Sequence, residues 1–93
     1  MRIVGRLALE SFADSHPQMR AQIRAWLTEA ATAKWTSAHD VKNRYRRASV
    51  ISAGRIVFDI GKSFRIDTRI DYEMSIMQVV RFAFHKEYER WTF

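Results

Sequence analysis

The chain contains no cysteine. That excludes disulfides, Cys-based zinc sites and thiol catalysis. Its three histidines, His16, His39 and His85, show no metal-ligand spacing, so no metal and no cofactor are expected. Proline occurs once and glycine three times, which leaves no Pro/Gly-rich linker, repeat or low-complexity tract. No stretch is apolar and long enough to span a bilayer, and residues 1–20 lack the apolar run of a signal peptide. The expected location is therefore the cytoplasm, with no membrane partner. Acidic residues are the minority, 10 against 16 Lys and Arg, for a formal net charge of +6. This balance favours an anionic partner: nucleic acid, an acidic protein or a membrane surface.

What is present is ordinary globular material. Hydrophobic residues make up 47% and charged residues 28%, enough to fold rather than stay disordered. At 93 residues the expectation is one domain, 1–93, around one modest core. Met1 to Gly5 reads as a short strand. Leu7, Leu9, Phe12 and Ala13 suggest a first helix that His16-Pro17 ends, because proline disfavours helical geometry before it and suits the first turn of a new helix. Met19, Ile23, Trp26, Leu27, Ala30 and Ala31 recur at the spacing of one apolar helical face. The two helices form a hairpin suited to cover a sheet.

Residues 35–54 read as irregular. They carry Lys42, Arg44, Arg46 and Arg47 with Tyr45 among them. Cations for phosphate and a ring for a base make this run a candidate single-stranded nucleic-acid contact. Three strands follow, over 55–61, 64–72 and 76–84. The middle one alternates: Phe64, Ile66, Thr68, Ile70 and Tyr72 on one face, Arg65, Asp67, Arg69 and Asp71 on the other.

Three-residue loops at Gly61-Lys62-Ser63 and Glu73-Met74-Ser75 keep the apolar sets together. They pair Ile56, Phe58 and Ile60 with Thr68, Ile66 and Phe64, and Ile66, Thr68 and Ile70 with Phe82, Val80 and Gln78. This even-numbered face should meet the helices. On the odd face Asp59 falls opposite Arg65, and Asp67 lies between Val57 and Arg81. Arg65, Arg81 and His85 are expected to converge near one end of an uncovered sheet face, with Arg69 two residues along.

Such a set suits RNA, which carries its own nucleophile in the 2′-hydroxyl. Cleavage needs a base near that hydroxyl, an acid near the departing 5′-oxygen and cations around the phosphate. Histidine suits either proton role near neutral pH, so His85 is the first candidate. Arg65 and Arg81 can hold phosphate oxygens in fork geometry. Lys86 and Tyr88 can supply a second proton donor or a stacking surface. No metal is required.

The order Leu9, Phe12, His16, Pro17, Trp26, Trp35, then Val57-Phe-Asp-Ile60, Phe64-Arg-Ile66 and Val80-Arg-Phe-Ala-Phe-His-Lys-Glu-Tyr-Glu89, resembles the HigB-type toxins of bacterial type II toxin–antitoxin systems, in the RelE superfamily of mRNA interferases. The family pattern has "L..F...HP", two tryptophans, "VFNI", "YRL" and "IRF..THxEYD". The resemblance implies a RelE-like α+β fold in the order βααβββ, an antiparallel sheet packed by the helical hairpin, and a short C-terminal helix. It implies an endoribonuclease that cleaves mRNA, typically on the translating ribosome. It also implies neutralisation in a hetero-oligomer with a helix-turn-helix antitoxin of the HigA type. Carried over residue by residue, Arg65 matches the Arg of "YRL", Arg81 that of "IRF", and His85 and Tyr88 the His and Tyr of the last motif. Phe84 stands where the family has Thr, Glu89 where it has Asp, and Asp59 where it has Asn. The turn at 61–63 is one residue short. The alternative is a catalytically degenerate homologue that binds RNA, the ribosome or a partner protein without cleaving.

Overall fold

The computed structural model describes all of residues 1–93. Strand β1 (Arg2–Val4) leads into helices α1 (Arg6–Ser15) and α2 (Pro17–Thr32), then α3 (Ala38–Arg44). Strands β2 (Ser49–Ser52), β3 (Arg55–Ile60), β4 (Phe64–Asp71) and β5 (Ile76–Phe84) follow, and α4 (His85–Tyr88) closes the order. The fold is α+β, as the sequence implies. The five strands form one sheet in the order β1-β5-β4-β3-β2.

The helical hairpin breaks at His16, whose backbone leaves helical geometry one residue before Pro17. Proline's ring disfavours the α conformation in its predecessor and is tolerated at a helix start. The apolar stripe of α2 is buried through Met19, Ile23, Trp26, Leu27 and Ala30. It packs with Leu9 and Ala13 of α1 onto Ile56, Phe58, Ile60, Phe64, Ile66 and Ile70 of the sheet. Of the apolar residues that mark α1, Leu7 is 78% exposed. Each fully buried branched or aromatic side chain stabilises by about 1.5–3 kcal/mol, so the even face of the sheet is the main source of cohesion.

Three expectations are corrected. First, the sheet is mixed, not antiparallel: β1 runs parallel to β5. The helices carry the chain from β1 across to the far edge, and the β2–β5 meander then returns to it. Second, the order βααβββ lacks two elements within 35–54. Helix α3 starts at Ser37, whose side chain accepts from the Asp40 backbone N–H. Asp40 in turn accepts from the hydroxyl and backbone N–H of Thr36, at 2.7 and 2.8 Å. These bonds, the hydroxyl's first, lower the pKa of Asp40. Ser37-x-x-Asp40 is a capping signature visible in the sequence. Strand β2 is exposed along its whole length at a sheet edge, so no buried alternation marks it.

Third, the β4–β5 register differs from expectation over half its length. The β3–β4 pairing is as expected, from Ile56 opposite Thr68 to Ile60 opposite Phe64. Gly61 turns it with φ +65, and an added Cβ would lie 2.7 Å from Gln22 Oε1, so a side chain there meets both strain and a clash. Ile66 also pairs with Phe82, but Thr68 pairs with Val79 and Ile70 with Met77. The turn spans four residues rather than three, Tyr72 to Ser75, with Asp71 accepting from the Met74 N–H. The resulting one-residue offset is absorbed by a bulge opposite Asp67 and Thr68. Val80, expected in the core, is exposed there, and Val79 and Met77 are buried instead. Bulges insert one unpaired residue and bend the strand.

Candidate functional site

Two aspartates organise the odd face. Asp67 is wholly buried and bridges two arginines. Arg55 donates to it in a fork, Nε to Oδ1 at 2.8 Å and Nη2 to Oδ2 at 2.7 Å. Arg81 donates Nε to Oδ2 at 2.8 Å. The Asp67 hydrogen bond holds the proton of Arg55 more tightly than usual. Asp59 forms the second bridge, accepting from Arg65 through Oδ1 and from Arg47 through Oδ2 at 2.9 Å. Arg47 also donates to the Gly61 carbonyl at 3.1 Å. Each Arg-Asp-Arg bridge keeps a net positive charge and leaves guanidinium N–H groups free for an anion.

The sequence suggests an uncovered face, but α4 and the residues after it lie across it. Arg65 sits over the Tyr88 ring at 4.6 Å, and Arg81 over Trp91 at 4.6 Å. Arg81 also donates to the Thr92 carbonyl at 3.1 Å. Cation–π contact draws these aromatic residues over the arginines. The Tyr88 hydroxyl is hydrogen-bonded to His85 Nδ1, and His85 Nε2 lies 2.6 Å from Glu89 Oε1. A carboxylate accepting from Nε2–H leaves Nδ1 as the acceptor for the Tyr88 O–H. The helical spacings i to i+3 and i to i+4 put all three side chains on one side of α4.

The expected convergence is thus partly met. His85, Tyr88 and Arg65 form one connected chain, anchored at Asp59. Arg81 belongs to the other bridge and touches Trp91 rather than His85. Lys86 is exposed and has no ion-pair partner.

The residues matched, 19–91, are those of the HigB toxin family, the RelE-like toxic component of a toxin–antitoxin system. The chain belongs to this family. It is therefore a toxin whose partner is an antitoxin. No curated protein matches it.

The toxin's basic segment is divided by its contacts. Tyr45 packs edge-on to Phe58 at 5.3 Å and to Trp35 at 6.0 Å, and its hydroxyl donates to Glu29 at 2.8 Å. Burial and then that hydrogen bond push its pKa up. Its ring serves the core. Arg44 pairs with Glu29, and Lys42 donates to the Ala48 carbonyl. Arg46 is exposed and makes no side-chain hydrogen bond or ion pair, and Arg69 is equally free, opposite Arg55 and Gln78. Asp59, where the family pattern has Asn, is the anchor of Arg47 and Arg65. Phe84 packs on Phe64 and Phe12, away from His85's partners.

Sequence reasoning passed over Arg55, Trp91 and Phe93. The alternation of β4 marked Asp67, and its buried charge demands cationic partners. No pattern marked Trp91 and Phe93, which reach the face only because α4 folds back onto it.

Proposed function

We propose that this toxin is an endoribonuclease that cleaves mRNA on the translating ribosome and is neutralised by a helix-turn-helix antitoxin of the HigA type. The observation that carries the reading is the connected chain Glu89, His85, Tyr88, Arg65 and Asp59. In the cleavage step the 2′-oxygen bonds to the adjacent phosphorus and the bond to the 5′-oxygen breaks. A 2′,3′-cyclic phosphate and a 5′-hydroxyl result. One proton leaves the 2′-hydroxyl and one reaches the 5′-oxygen. The His85 ring and the Tyr88 hydroxyl are hydrogen-bonded, so a proton can pass along the pair, which accepts at one end and donates at the other. Glu89 fixes the imidazole tautomer. Arg65, held from below by Asp59, turns its remaining N–H groups to the phosphate, where they stabilise the charge that grows as the 2′-oxygen attacks. Arg81, Arg46, Arg69 and Lys86 extend the cationic surface for the flanking backbone. All the groups needed are side chains of the chain itself.

Expression of the wild-type chain should arrest growth and degrade mRNA. His85→Ala and Arg65→Ala should each relieve the arrest by at least tenfold in surviving colonies, roughly the lower reach of one acid–base or electrostatic group, with unchanged circular dichroism. Full toxicity of both folded variants would remove these residues from the site.

One observation favours the second reading, a non-cleaving binder. Both imidazole nitrogens of His85 already have partners, Tyr88 within α4 and Glu89 directly after it, which leaves neither unpaired. Intact mRNA after induction, together with co-sedimentation of the toxin with ribosomes, would decide for that reading.

A further inference from the structure

A pocket of about 260 Å³ opens between the exposed edge strand β2 and the residues after α4. Ile51 and Val57 form its apolar floor, and Tyr88, Trp91 and Phe93 its walls, with Arg65 at the rim. Ile51 is 42% and Phe93 59% exposed, so nothing else in the chain covers this apolar surface. Each aromatic wall also carries a guanidinium: Arg65 on Tyr88 at 4.6 Å, Arg81 on Trp91 at 4.6 Å, Arg55 on Phe93 at 5.2 Å.

We propose that this pocket takes one unpaired base of an RNA strand, on the nucleotide next to the phosphate held at Arg65. The ligand class rests on the ribonuclease reading above; the pocket does not. Rings that stack a flat heterocycle, set among cations that meet its phosphate, are the composition of single-strand binding sites. A nucleotide satisfies both halves at once: the base on Trp91 and Phe93, the phosphate at the arginines. An aromatic side chain of a protein fills the apolar half and leaves the cationic rim without an anion. Arg65 and Tyr88 belong both to the pocket and to the His85 chain, which fixes the distance between base and reacting phosphate. Trp91 and Phe93 thus act as binding residues that choose where on a strand the cut falls.

The test is a fluorescence titration of the full-length toxin with a mixed-sequence 2′-O-methyl RNA hexamer, which lacks the nucleophile and cannot be cut, beside an abasic ribose-phosphate oligomer of equal length. Trp26 and Trp35 are 2% and 9% exposed, so Trp91 is the accessible reporter. The RNA should quench tryptophan emission and the abasic strand should not. Trp91→Phe should remove the quench while keeping the binding. Trp91→Ala and the surface variant Ile51→Ser should each weaken RNA binding roughly tenfold, the scale of one lost stacking contact. Equal affinity for abasic strand and RNA would overturn the proposal, as would unchanged affinity in both variants. Tighter RNA binding by Trp91→Ala would mean that this segment covers the site instead of building it, and also overturns it. Quenching by purified antitoxin but not by RNA would assign the pocket to the protein partner. mRNA integrity on induction is read separately: quenching with intact mRNA sinks the ribonuclease reading alone, and cleaved mRNA without quenching sinks the pocket alone.

Discussion

Asp67 shows how one residue links stability to the site. A buried carboxylate costs several kcal/mol in desolvation unless paired, and here two guanidiniums supply the pairing through three hydrogen bonds. Asp67→Ala leaves Arg55 and Arg81 facing each other without the anion. Because their side chains keep 18% and 33% exposure, water offsets part of the loss. The expected cost is about 3 kcal/mol, the lower end for breaking a buried pair, read from the urea midpoint at constant slope. A loss under about 1 kcal/mol would show that the bridge is not structural. Asp59 is more open to change, since its partner Arg47 is mostly exposed. Its carboxylate, where the family pattern has an amide, gives Arg65 a charged anchor rather than a neutral one.

Among the elements, α3 ties the basic segment to the core through Tyr45. Burial first, and the Glu29 hydrogen bond second, raise the pKa of this hydroxyl above the ordinary value of about 10. The unfolded chain releases the proton first as pH rises. The stabilisation is therefore complete below about pH 10 and is lost as pH climbs from there toward the folded-state value. Urea midpoints measured from pH 8 to 11 should fall more steeply for the wild type than for Tyr45→Phe. Parallel curves would mean that the hydroxyl plays no part in alkaline unfolding. Strand β5 makes the other point at this scale. Its bulge at Val80 puts Val80 and Arg81 in succession toward the outer face, so that Val79 reaches the core while Arg81 still meets Asp67. A regular strand cannot do both after a four-residue turn.

For the whole molecule, the excess charge is unevenly spent. Arg6, Arg20, Arg24 and Arg44 are matched by carboxylates on the helical side. Among the cations without a carboxylate partner are Arg46, Lys62, Arg69 and Lys86. Together with the two half-neutralised bridges they are the cations an RNA strand would meet under the proposed function. If about four phosphates are neutralised, single-strand binding should weaken about 50-fold between 50 and 200 mM salt, from a slope near −0.7 per phosphate. Affinity indifferent to salt would argue against RNA as the partner of this face. No helix is long and apolar enough to cross a membrane.

The sequence by itself determined the helical hairpin, the β3–β4 register and the opposition of Asp59 to Arg65. These follow from local rules: proline's restriction at His16, the 3.6-residue stripe of α2 and strict alternation in β4. It also carried the family, through side chains spread along the chain in fixed order. Only the tertiary structure decided the parallel β1–β5 pairing, the bulge at Val80 and the course of Trp91 and Phe93 over the arginines. Each depends on contacts between residues far apart in the chain, or on an edge strand and a short helix whose side chains bury little and so leave no periodic trace. His85 was legible as a candidate, but its partners were not. They are set by where α4 turns back after β5, and that turn is fixed by what Arg65 and Arg81 offer it to pack against.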